Sequence, residues 1–516
     1  MTAKPNAILL LVITAVTIVV SGARADVALP NLFSDHMVLQ REATIPVWGT
    51  ADAGEQVAVT IANQSRLTVA DAKGRWRVDF DPIHSERPLV LTVKGKTTLT
   101  VNDIRMGEVW VCSGQSNMEW PISRSLNAEA EAAGANWPDI RFFNVSPKKK
   151  PAREPARDVD AQWTICTPES ANGFSAVGYF FGRHLHQKLD GVPIGLINVS
   201  WGGMPAEAFT DMETLRSDPA FNDILTRFNN AVTIYPQALA AYEEKLAEWE
   251  RAKKEAEAKG EKVPNRPGAP YGPDSPNGPA ALWNGMVHPI TPFAIRGAIW
   301  YQGESNAGDP LRAAQYRKLL PAMITGWRRA WGQGDFPFLI VQLANYRAPA
   351  SQPAEPESAW ALLREAQTLT AAEMKRVGQA VTIDIGEAND IHPKNKQDVG
   401  LRLGLAAEKI AYGRDVIFSG PALDSMKVDG DAAVLTFQHI GSGLMSKTER
   451  LEGFAIRGED GVWHPGEATI DGETVIVRSE HVAKPHAIRY AWANNPPASL
   501  YNNEGLPAVP FRTDGE

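Results

Sequence analysis

Cysteine is scarce in this chain of 516 residues, which contains only Cys112 and Cys166. An oxidising compartment would allow a disulfide between the two, whereas the apolar neighbours of Cys112 equally suit a packed thiol. Positive charge is also in deficit, with 52 lysines and arginines against 60 aspartates and glutamates and a net charge of −8. A balance of this sign excludes a general attraction to nucleic acid.

Sequence patterns that hold metals or phosphates are missing as well. The chain has no His-Glu-x-x-His, Cys-x-x-Cys or phosphate-loop pattern. His184 and His186 are two positions apart on a predicted helix, so their side chains point to different faces and do not readily share an ion. We therefore expect neither a metal ion nor an organic cofactor.

Long hydrophobic runs are confined to the first 25 residues. The apolar stretch Ala7–Val20, about 14 residues, is too short to span a bilayer comfortably. It follows Lys4 and precedes the triplet Ala23–Ala25, an arrangement typical of a secretory signal peptide. We predict that residues 1–25 are removed on export, leaving a periplasmic or secreted protein without a membrane span; an uncleaved anchor is the alternative. Because that region carries two positive groups and no acid, the mature chain has a net charge of −10.

The length allows two to four domains. In residues 26–104, short alternating runs such as Val57–Ile61 are broken by turn residues, which predicts an N-terminal β-sandwich. In residues 105–413, buried strands alternate with helical stretches such as Phe174–Leu189. This alternation predicts an α/β fold, a three-layer α/β/α domain whose parallel sheet is covered on both faces.

Two further segments depart from that alternation. Residues 226–280 contain a charged helix over Tyr242–Lys262, followed by a stretch rich in proline, glycine and asparagine. We predict an insertion made of a solvated helix and a loop. Short strands return after about residue 414, and residues 414–516 are predicted to form a second β-sandwich-like module.

One serine lies where an apolar run stops abruptly. The segment Val109–Trp120 reads Val-Trp-Val-Cys-Ser-Gly-Gln-Ser-Asn-Met-Glu-Trp, which predicts a buried strand followed by a polar turn around Ser116. The carboxyl ends of parallel strands gather ligands, so the Ser116 hydroxyl lies where a nucleophile would be useful. The alternative is that Ser116 merely caps the next helix.

A base and an acid follow a later predicted strand, Gln379–Ile385. A serine nucleophile needs a base within hydrogen-bond reach and an acid that orients the base. Residues two apart in an extended loop point the same way, so Asp390 can hold the Nδ1 proton of His392 while Nε2 faces Ser116. The alternative is that Asp390 caps a turn and His392 is a surface residue.

Two more predicted strands end in candidate donors for the oxygen that becomes negative in acyl transfer. The strand at 194–199 is followed by Gly202 and Gly203, and the strand at 294–301 by Gln302 and Asn306. Glycines in such loops also occur for backbone geometry alone. Four strand ends carrying suitable groups nevertheless favour a serine-hydrolase site.

These blocks together resemble a known family. The sequence is similar to the sialate O-acetylesterase family of SGNH-type hydrolases in four blocks: Gly-Gln-Ser-Asn-Met at 114–118, Trp-Gly-Gly-Met-Pro-Ala-Glu at 201–207, Trp-Tyr-Gln-Gly-Glu-Ser-Asn at 300–306 and Asp-Ile-His-Pro at 390–393. The blocks occur in the expected order. The resemblance implies an SGNH-type α/β/α domain flanked by β-sandwich-like modules.

The resemblance also implies roles for individual residues. Ser116 would be the nucleophile and His392 the general base. The oxyanion hole would combine the Ser116 N–H with a glycine after the second strand and a polar side chain of the third block. Since the usual asparagine of that block aligns nearer Ser305, both Gln302 and Asn306 are candidates beside Gly202 and Gly203.

The triad acid is the point where the chain departs from the wider SGNH pattern. Many members carry the acid three residues before the histidine, where this chain has Asn389. An amide cannot compensate the charge of an imidazolium as a carboxylate does. We therefore predict Asp390 as the acid, with Asp384 and Glu387 as alternatives.

The substrate-binding candidates are the other polar or apolar residues of these blocks and one nearby histidine, namely Gln115, Asn117, Met118, Glu304 and His288. Met118 and Met204 are predicted to line a pocket that fits an acetyl group. The resemblance implies an exported serine esterase that removes O-acetyl groups from sugars, with O-acetylated sialic acid ahead of acetylated xylan or another polysaccharide. A non-catalytic carbohydrate-binding protein is the rival from a different functional class.

Overall fold

The computed structural model describes residues 26–351, 354–355 and 358–515. The predicted signal peptide, residues 1–25, and its cleavage after Ala25 lie outside the described residues. Within the described ranges, no helix combines the length and the apolarity that crossing a membrane requires.

The strands fall into three groups along the chain. The first group is β1 (Val38–Gln40), β2 (Ile45–Thr50), β3 (Gln56–Ile61), β4 (Gln64–Val69), β5 (Arg75–Phe80), β6 (Leu89–Lys94) and β7 (Thr98–Gly114). The middle group is β8 (Trp137–Asn144), β9 (Trp163–Cys166), β10 (Ile194–Ser200), β11 (Gly297–Tyr301), β12 (Phe338–Val341) and β13 (Val377–Ala380). The last group is β14 (Ala422–Asp429), β15 (Ala432–Gln438), β16 (Leu444–Ser446), β17 (Phe454–Arg457), β18 (Trp463–Pro465), β19 (Glu467–Asp471), β20 (Thr474–Arg478), β21 (Ala487–Tyr490), β22 (Leu500–Asn502) and β23 (Phe511–Arg512).

The helices lie between β7 and β14. They are α1 (Ser116–Glu119), α2 (Ala128–Ala133), α3 (Pro168–Asn172), α4 (Ala176–Lys188), α5 (Met212–Ser217), α6 (Asn222–Lys259), α7 (Pro310–Trp331), α8 (Ala359–Glu373) and α9 (Lys396–Ile410). Short 3₁₀ turns occur at Ile122–Arg124, Ser146–Lys148, Ala206–Phe209, Pro219–Phe221 and His288–Ile290, and a single π-helical turn occurs at Trp283–Val287.

The central sheet has the strand order β13-β12-β11-β7-β10-β8-β9. Its neighbours are parallel except for β9, which pairs antiparallel with β8 at one edge. The sheet is therefore mixed, and the prediction of a purely parallel sheet is wrong at β9. An antiparallel edge strand on an otherwise parallel sheet is common in α/β proteins.

Helices cover both faces of this sheet. On β7, the Trp110 ring packs edge-on against Phe181 of α4, so even-numbered residues of this part of β7 face α4. On β11, Trp300 lies in register with Ser113 and therefore faces the opposite side. There its indole N–H donates to the Tyr316 hydroxyl of α7. Since α9 packs on α4 and α8 packs on α7, the sheet lies between two helical layers.

The two cysteines are free and buried. Cys112 lies on β7 and Cys166 on β9, with β10 and β8 between them in the sheet. Burial raises the pKa of both thiols. The structure therefore favours the packed-thiol alternative over the disulfide.

The N-terminal strands are continuous with the central sheet. Strand β7 pairs with β6 in its first half and with β10 and β11 in its second, and the predicted boundary between residues 104 and 105 falls inside it. Strands β3 and β4 extend the β6 edge, β1 pairs with β7, and β2 and β5 form a separate pair. One apolar core runs from these strands into the α/β part of the chain.

The C-terminal strands form a second set of sheets with its own core. The antiparallel orders are β14-β15-β20-β19 and β18-β17-β21-β23, with β16 and β22 paired separately. Val381 and Ile383 pack into this second core. For that reason β13 ends at Ala380, and the predicted strand Gln379–Ile385 is wrong in its second half: the chain leaves the central sheet to fill the other core.

The helix of the predicted insertion is longer than its charge pattern indicated. Helix α6 begins at Asn222 and ends at Lys259, whereas Tyr242–Lys262 was predicted. Its first half carries few charges and contains Pro236, so the sequence pattern recognised only the charged second half. Most of its side chains face solvent, with Ile224 and Ala256 as its buried residues.

Candidate active site

The nucleophile turn depends on one glycine. Gly114 ends β7 with a φ of 136°, and a Cβ there would lie 2.1 Å from the Tyr301 carbonyl oxygen. Only glycine accepts both the conformation and this approach of β11. The next N–H, that of Gln115, donates to the same carbonyl at 2.9 Å. The chain then turns into α1, and Ser116 stands at the carboxyl edge of the sheet.

His392 lies against this serine. Its Nε2 is 2.8 Å from the Ser116 Oγ. The imidazole stacks on Trp120 with a centroid distance of 4.8 Å and an interplanar angle of 16°, which fixes the plane of the ring. The Arg124 guanidinium lies 3.8 Å from the centroid of the Trp120 ring. The histidine loop follows β13 and leads directly into α9.

Asp390 is the candidate acid that contacts His392. Its Oδ1 accepts from the His392 backbone N–H at 2.9 Å and lies 3.3 Å from Nδ1. The Asp390 side chain is 39% exposed, more than the 26% of His392. This acid therefore orients its histidine through a long contact that water reaches.

The alternative acids are engaged elsewhere. Asp384 forms a two-pronged ion pair with Arg402 of α9, at 2.6 and 2.8 Å. Glu387 accepts from the Lys394 backbone N–H at 3.0 Å. Asn389, at the usual SGNH position of the acid, is exposed.

The environment of His392 favours its neutral form. Partial burial lowers its pKa below the ordinary value of 6.5 because a charged imidazole loses hydration. Asp390 opposes this by stabilising the imidazolium, whereas the positive charges of Lys396 and Arg124 add to the lowering. A neutral imidazole is the form that can accept a proton from Ser116.

Ser116 and His392 line one wall of an open cavity of about 460 Å³. Its other lining residues are Glu119, Trp120, Pro121, Arg124, Asn144, Ser146, Pro147, Gly173 and Asn198. Sequence reasoning missed Glu119, Arg124, Asn144 and Asn198 as part of the site. Asn198 offered a signal, since it is a polar residue between the apolar Ile197 and Val199 of β10.

Of the predicted oxyanion donors, Gly202 lies beside the nucleophile. A Cβ on Gly202 would lie 3.2 Å from the Ser116 Cβ. The Gly202 N–H donates to the Glu119 Oε2 at 2.6 Å, and the other Glu119 oxygen is paired with Lys149. Gly203 is exposed and has a φ of 76°.

The predicted amide donors Gln302 and Asn306 are used inside the core. Gln302 Nε2 donates to Asn306 Oδ1 at 2.7 Å and to Gln115 Oε1 at 3.2 Å. Asn306 Nδ2 donates to Glu207 Oε2 at 2.9 Å. Gln115 in turn accepts from the Ser305 N–H at 3.1 Å. These amides join the first three sequence blocks to one another and do not line the Ser116 cavity.

The remaining predicted substrate residues are also placed away from the cavity. His288 lines a different cavity of about 840 Å³, where the N-terminal strands meet the α/β part. Met118 is fully buried, and its sulfur contacts the Ser175 hydroxyl, so it does not form the predicted acetyl pocket. Asn117 and Glu304 are buried directly behind the nucleophile and contact each other.

No group of three or more histidine, cysteine, aspartate or glutamate side chains is arranged to hold a metal ion in the part of the chain that the structure describes. The carboxylates nearest Ser116 have protein partners. Glu119 pairs with Lys149 and the Gly202 N–H, and Asp390 with His392. The contact between Ser116 Oγ and His392 Nε2 is one that can activate a hydroxyl for attack on a carbonyl carbon.

Comparison with known proteins identifies a family model and several relatives. The model of the carbohydrate esterases described as sialic acid-specific acetylesterases matches residues 106–242 and 280–410. A sialate O-acetylesterase from Rattus norvegicus is 29% identical over 98% of this chain and 98% of its own length. The Homo sapiens sialate O-acetylesterase is 29% identical over 93% of this chain and 91% of its own length. The crystal structure of a carbohydrate acetylesterase from Xanthomonas citri is 38% identical, covers 95% of this chain and 100% of its own, and superposes with a TM-score of 0.79.

Proposed function

The chain belongs to the sialic acid-specific acetylesterase family of carbohydrate esterases, and from this premise we propose that it is a serine esterase that removes O-acetyl groups from sugars. The observation that carries the proposal is the 2.8 Å contact between Ser116 Oγ and His392 Nε2 in the wall of an open cavity. A serine hydroxyl hydrogen-bonded to a neutral histidine is the minimal arrangement for acyl transfer.

The reaction proceeds in two halves. Ser116 Oγ attacks the acetyl carbonyl carbon while His392 Nε2 takes the hydroxyl proton, and the resulting intermediate breaks its bond to the sugar oxygen, which receives that proton. Water then gives a proton to His392 and attacks the carbonyl carbon of the acetyl-serine; the bond to Ser116 Oγ breaks, His392 returns that proton to Oγ, and acetic acid leaves and ionises to acetate. Asp390, next to Nδ1, stabilises the imidazolium in both halves.

The oxyanion is stabilised by backbone N–H groups. The Ser116 N–H is at the start of α1, where the first amides of a helix have no intrahelical acceptor. The second donor is the Gly202 N–H, in the Gly202–Gly203 turn beside Ser116. Since Glu119 holds the Gly202 N–H in the free enzyme, a developing oxyanion competes with this carboxylate for the donor.

We further infer that the central sheet and its two helical layers are an SGNH-type hydrolase fold. Support comes from Ser116 directly after the central strand β7 and from Asp390 and His392 on one short loop before the last helix of the sheet region. The Gly-Gln-Ser-Asn-Met block also lacks the second glycine of the Gly-x-Ser-x-Gly elbow of α/β-hydrolases.

We propose O-acetylated sialic acid as the preferred substrate, ahead of acetylated xylan or another neutral polysaccharide. The Arg124 guanidinium lines the same cavity as Ser116 and, within the described ranges, has no acidic side chain at ion-pair distance. Sialic acid carries a carboxylate and a xylan backbone does not, so a cation without an internal partner favours the acidic sugar. The curated relatives named above as sialate O-acetylesterases support the same choice.

The test is acetate release from O-acetylated sialic acid and from acetylated xylan, measured with the wild type, Ser116→Ala and the control Ser123→Ala. Ser123 is exposed and does not line the cavity. We expect Ser116→Ala to lose several orders of magnitude in turnover, as for the nucleophile of a cooperating triad, and Ser123→Ala to keep wild-type rates. Acetate from xylan alone would move the enzyme to the polysaccharide alternative. Absence of turnover on every ester would contradict the esterase proposal and favour the alternative of a non-catalytic carbohydrate-binding protein.

We also propose that the protein is exported and that the mature chain starts at Asp26. The short apolar run and the small-residue triplet before Asp26 support this assignment. N-terminal sequencing of protein recovered from outside the cytoplasm checks it, and a mature chain that retains residues 1–20 would contradict it.

A further inference from the structure

A buried polar cluster lies directly behind the nucleophile and takes no part in the reaction described above. It consists of Asn117, Glu304 and Lys396, whose side chains come from α1, from the turn after β11 and from the first residue of α9. Lys396 is completely buried, and the exposed fractions of Asn117 and Glu304 are 2% and 9%. A fully buried lysine is rare, so its position calls for a physical account.

The hydrogen bonds of the cluster fix which way the Asn117 amide points. Lys396 Nζ can only donate, so the atom that faces it at 2.5 Å is Asn117 Oδ1. The Asn117 Nδ2 group then donates to the Glu304 Oε1 and, at 3.0 Å, to the Ile391 carbonyl. The residue after Ile391 is His392. A single amide side chain therefore connects the lysine to the peptide group that precedes the catalytic histidine.

Charged groups face Lys396 from two sides. Burial lowers its pKa from 10.5 to about 7, and Glu304, Asp390 and Glu387 oppose this lowering. Burial also raises the pKa of Glu304. The Lys396 ammonium lies 5.8 Å from the centroid of the Trp120 ring, whose indole also stacks on His392. The charges that act on His392 itself are Asp390, Lys396 and Arg124.

Stability by itself does not explain such a group. A buried ion pair typically costs as much in lost hydration as it returns, and apolar replacements of similar volume are often neutral or stabilising. Here the two charges do not touch directly, since the Asn117 amide stands between them. Two members of the cluster, Asn117 and Glu304, belong to two of the four sequence blocks, and Asn117 also donates to the Ile391 carbonyl of a third block.

We propose that Lys396 is a positioning residue for the esterase reaction: through Asn117 it holds the histidine loop against Ser116, and its positive charge keeps the His392 imidazole in the neutral form that accepts a proton. Glu304 is the nearest acidic member of the cluster and opposes the lowering of the Lys396 pKa by burial. This inference rests on the proposed serine-esterase function and assigns a further residue to it.

The experiment compares Lys396→Met, the double variant Lys396→Met/Glu304→Gln and the control Lys409→Met. Lys409 is an exposed lysine of the same helix. Rates on nitrophenyl acetate are measured across pH, together with the melting temperature. We expect Lys396→Met to lower kcat by about 10- to 100-fold with little change in KM, as for a misplaced catalytic group. We also expect the acid limb of kcat/KM to move up by about half to one pH unit, because a nearby positive charge has been removed from His392.

The double variant covers the case in which the single variant fails to fold, because it leaves no unpaired buried charge. We expect it to fold and to keep both the lowered kcat and the displaced acid limb, whereas Lys409→Met matches the wild type. An acid limb identical to that of the wild type in any folded variant lacking Lys396 would overturn the proposal. If neither Lys396→Met nor the double variant folds, the proposal is also overturned, because the cluster is then required for folding. Esterase activity that survives Ser116→Ala would instead reject the underlying serine mechanism, so the two failures are distinguishable.

Discussion

At the scale of single residues, the stacking of His392 on Trp120 determines how the base works. The indole removes water from one face of the imidazole and leaves Nε2 free to contact Ser116. The same desolvation lowers the pKa of His392, and Arg124 on the Trp120 ring adds a positive charge nearby. The lowered pKa keeps His392 in its neutral, proton-accepting form even in weakly acidic solution.

The first prediction concerns pH. Only neutral His392 accepts the serine proton, so activity falls as pH drops through the histidine pKa. Because that pKa is lowered, we expect the acid limb of kcat/KM to have its midpoint below 6.5. A pH profile with an acetyl ester checks this. A midpoint above 6.5 would mean that Asp390 outweighs burial.

The second prediction separates the carboxylates. We expect Asp390→Asn to lower kcat by about 10² to 10³, less than the roughly 10⁴ for a buried triad acid, because Asp390 is 39% exposed and contacts Nδ1 at 3.3 Å. Asp384→Asn should instead destabilise the fold by about 3 kcal/mol, since it leaves the buried Arg402 charge without its acidic partner. Denaturation curves and rates on the folded fraction check both. Loss of kcat in a stable Asp384→Asn variant would show that Asp384, and not Asp390, is the triad acid.

The third prediction concerns the acidic sugar. We expect Arg124→Gln to lower kcat/KM for O-acetylated sialic acid by about 10- to 100-fold, the loss of one charge-assisted contact of about 1.5–3 kcal/mol, while nitrophenyl acetate turnover changes less than threefold. Arg153→Gln is the control, because Arg153 is exposed and paired with Asp274 away from the cavity. Equal losses on both substrates would assign Arg124 to support of the Trp120 stack rather than to recognition.

At the scale of elements, the site depends on where strands stop. Strand β7 stops at Gly114, where a φ of 136° turns the chain away from the strand direction. Strand β13 stops at Ala380 because Val381 and Ile383 enter the C-terminal core. The first stop exposes Ser116. The second starts the loop that returns His392 to the same edge of the sheet.

A substitution at Gly114 tests the first of these stops. We expect Gly114→Ala to destabilise the protein by about 3 kcal/mol or more and to abolish activity, because the added Cβ would lie 2.1 Å from the Tyr301 carbonyl oxygen at a φ of 136°. Gly268→Ala is the matched control, since its Cβ would meet no atom within 4 Å. Thermal unfolding of the two variants is the measurement, and equal melting temperatures would refute the argument.

At the scale of the whole molecule, the C-terminal sheets support the catalytic part of the chain. Arg364 of α8 is buried and donates to the carbonyls of Ala493 and Asn494. Arg512 forms a two-pronged ion pair with Glu365 of α8. The C-terminal strands therefore hold the helix that packs beside the catalytic edge of the sheet.

We accordingly expect a chain shortened to residues 26–413 to lose both cooperative unfolding and esterase activity. The truncation removes two of the four carbonyl acceptors of Arg364, those of Ala493 and Asn494, and exposes Val381 and Ile383. Each unmet buried donor costs about 1–3 kcal/mol. Circular dichroism melting and an acetyl ester assay check this. A truncated protein that melts cooperatively and keeps wild-type kcat would show that the C-terminal sheets are a detachable module.

The sequence by itself determined the features that depend on neighbours along the chain. Alternation of polar and apolar residues predicted the short strand near Val57, and an uninterrupted apolar run predicted the buried strand before Ser116. These elements are present as β3 and β7. The resemblance of four short blocks predicted the family, which the comparisons confirm. Ser116, His392 and Asp390 were predicted from their places after strand ends and from the needs of a serine nucleophile, and the structure places His392 in contact with both other side chains.

Tertiary structure alone decided which side chains face the cavity and which face the core. Gln302 and Asn306 looked like oxyanion donors, yet their amides satisfy buried acceptors, while Asn198 and Arg124 line the cavity from segments with no catalytic pattern. Lys396, the first residue of α9, is the buried cation behind the nucleophile. The physical reason is that burial and hydrogen bonding are settled by residues far apart in the chain, as between Asn117 and Lys396, and no local pattern records which partner is reached.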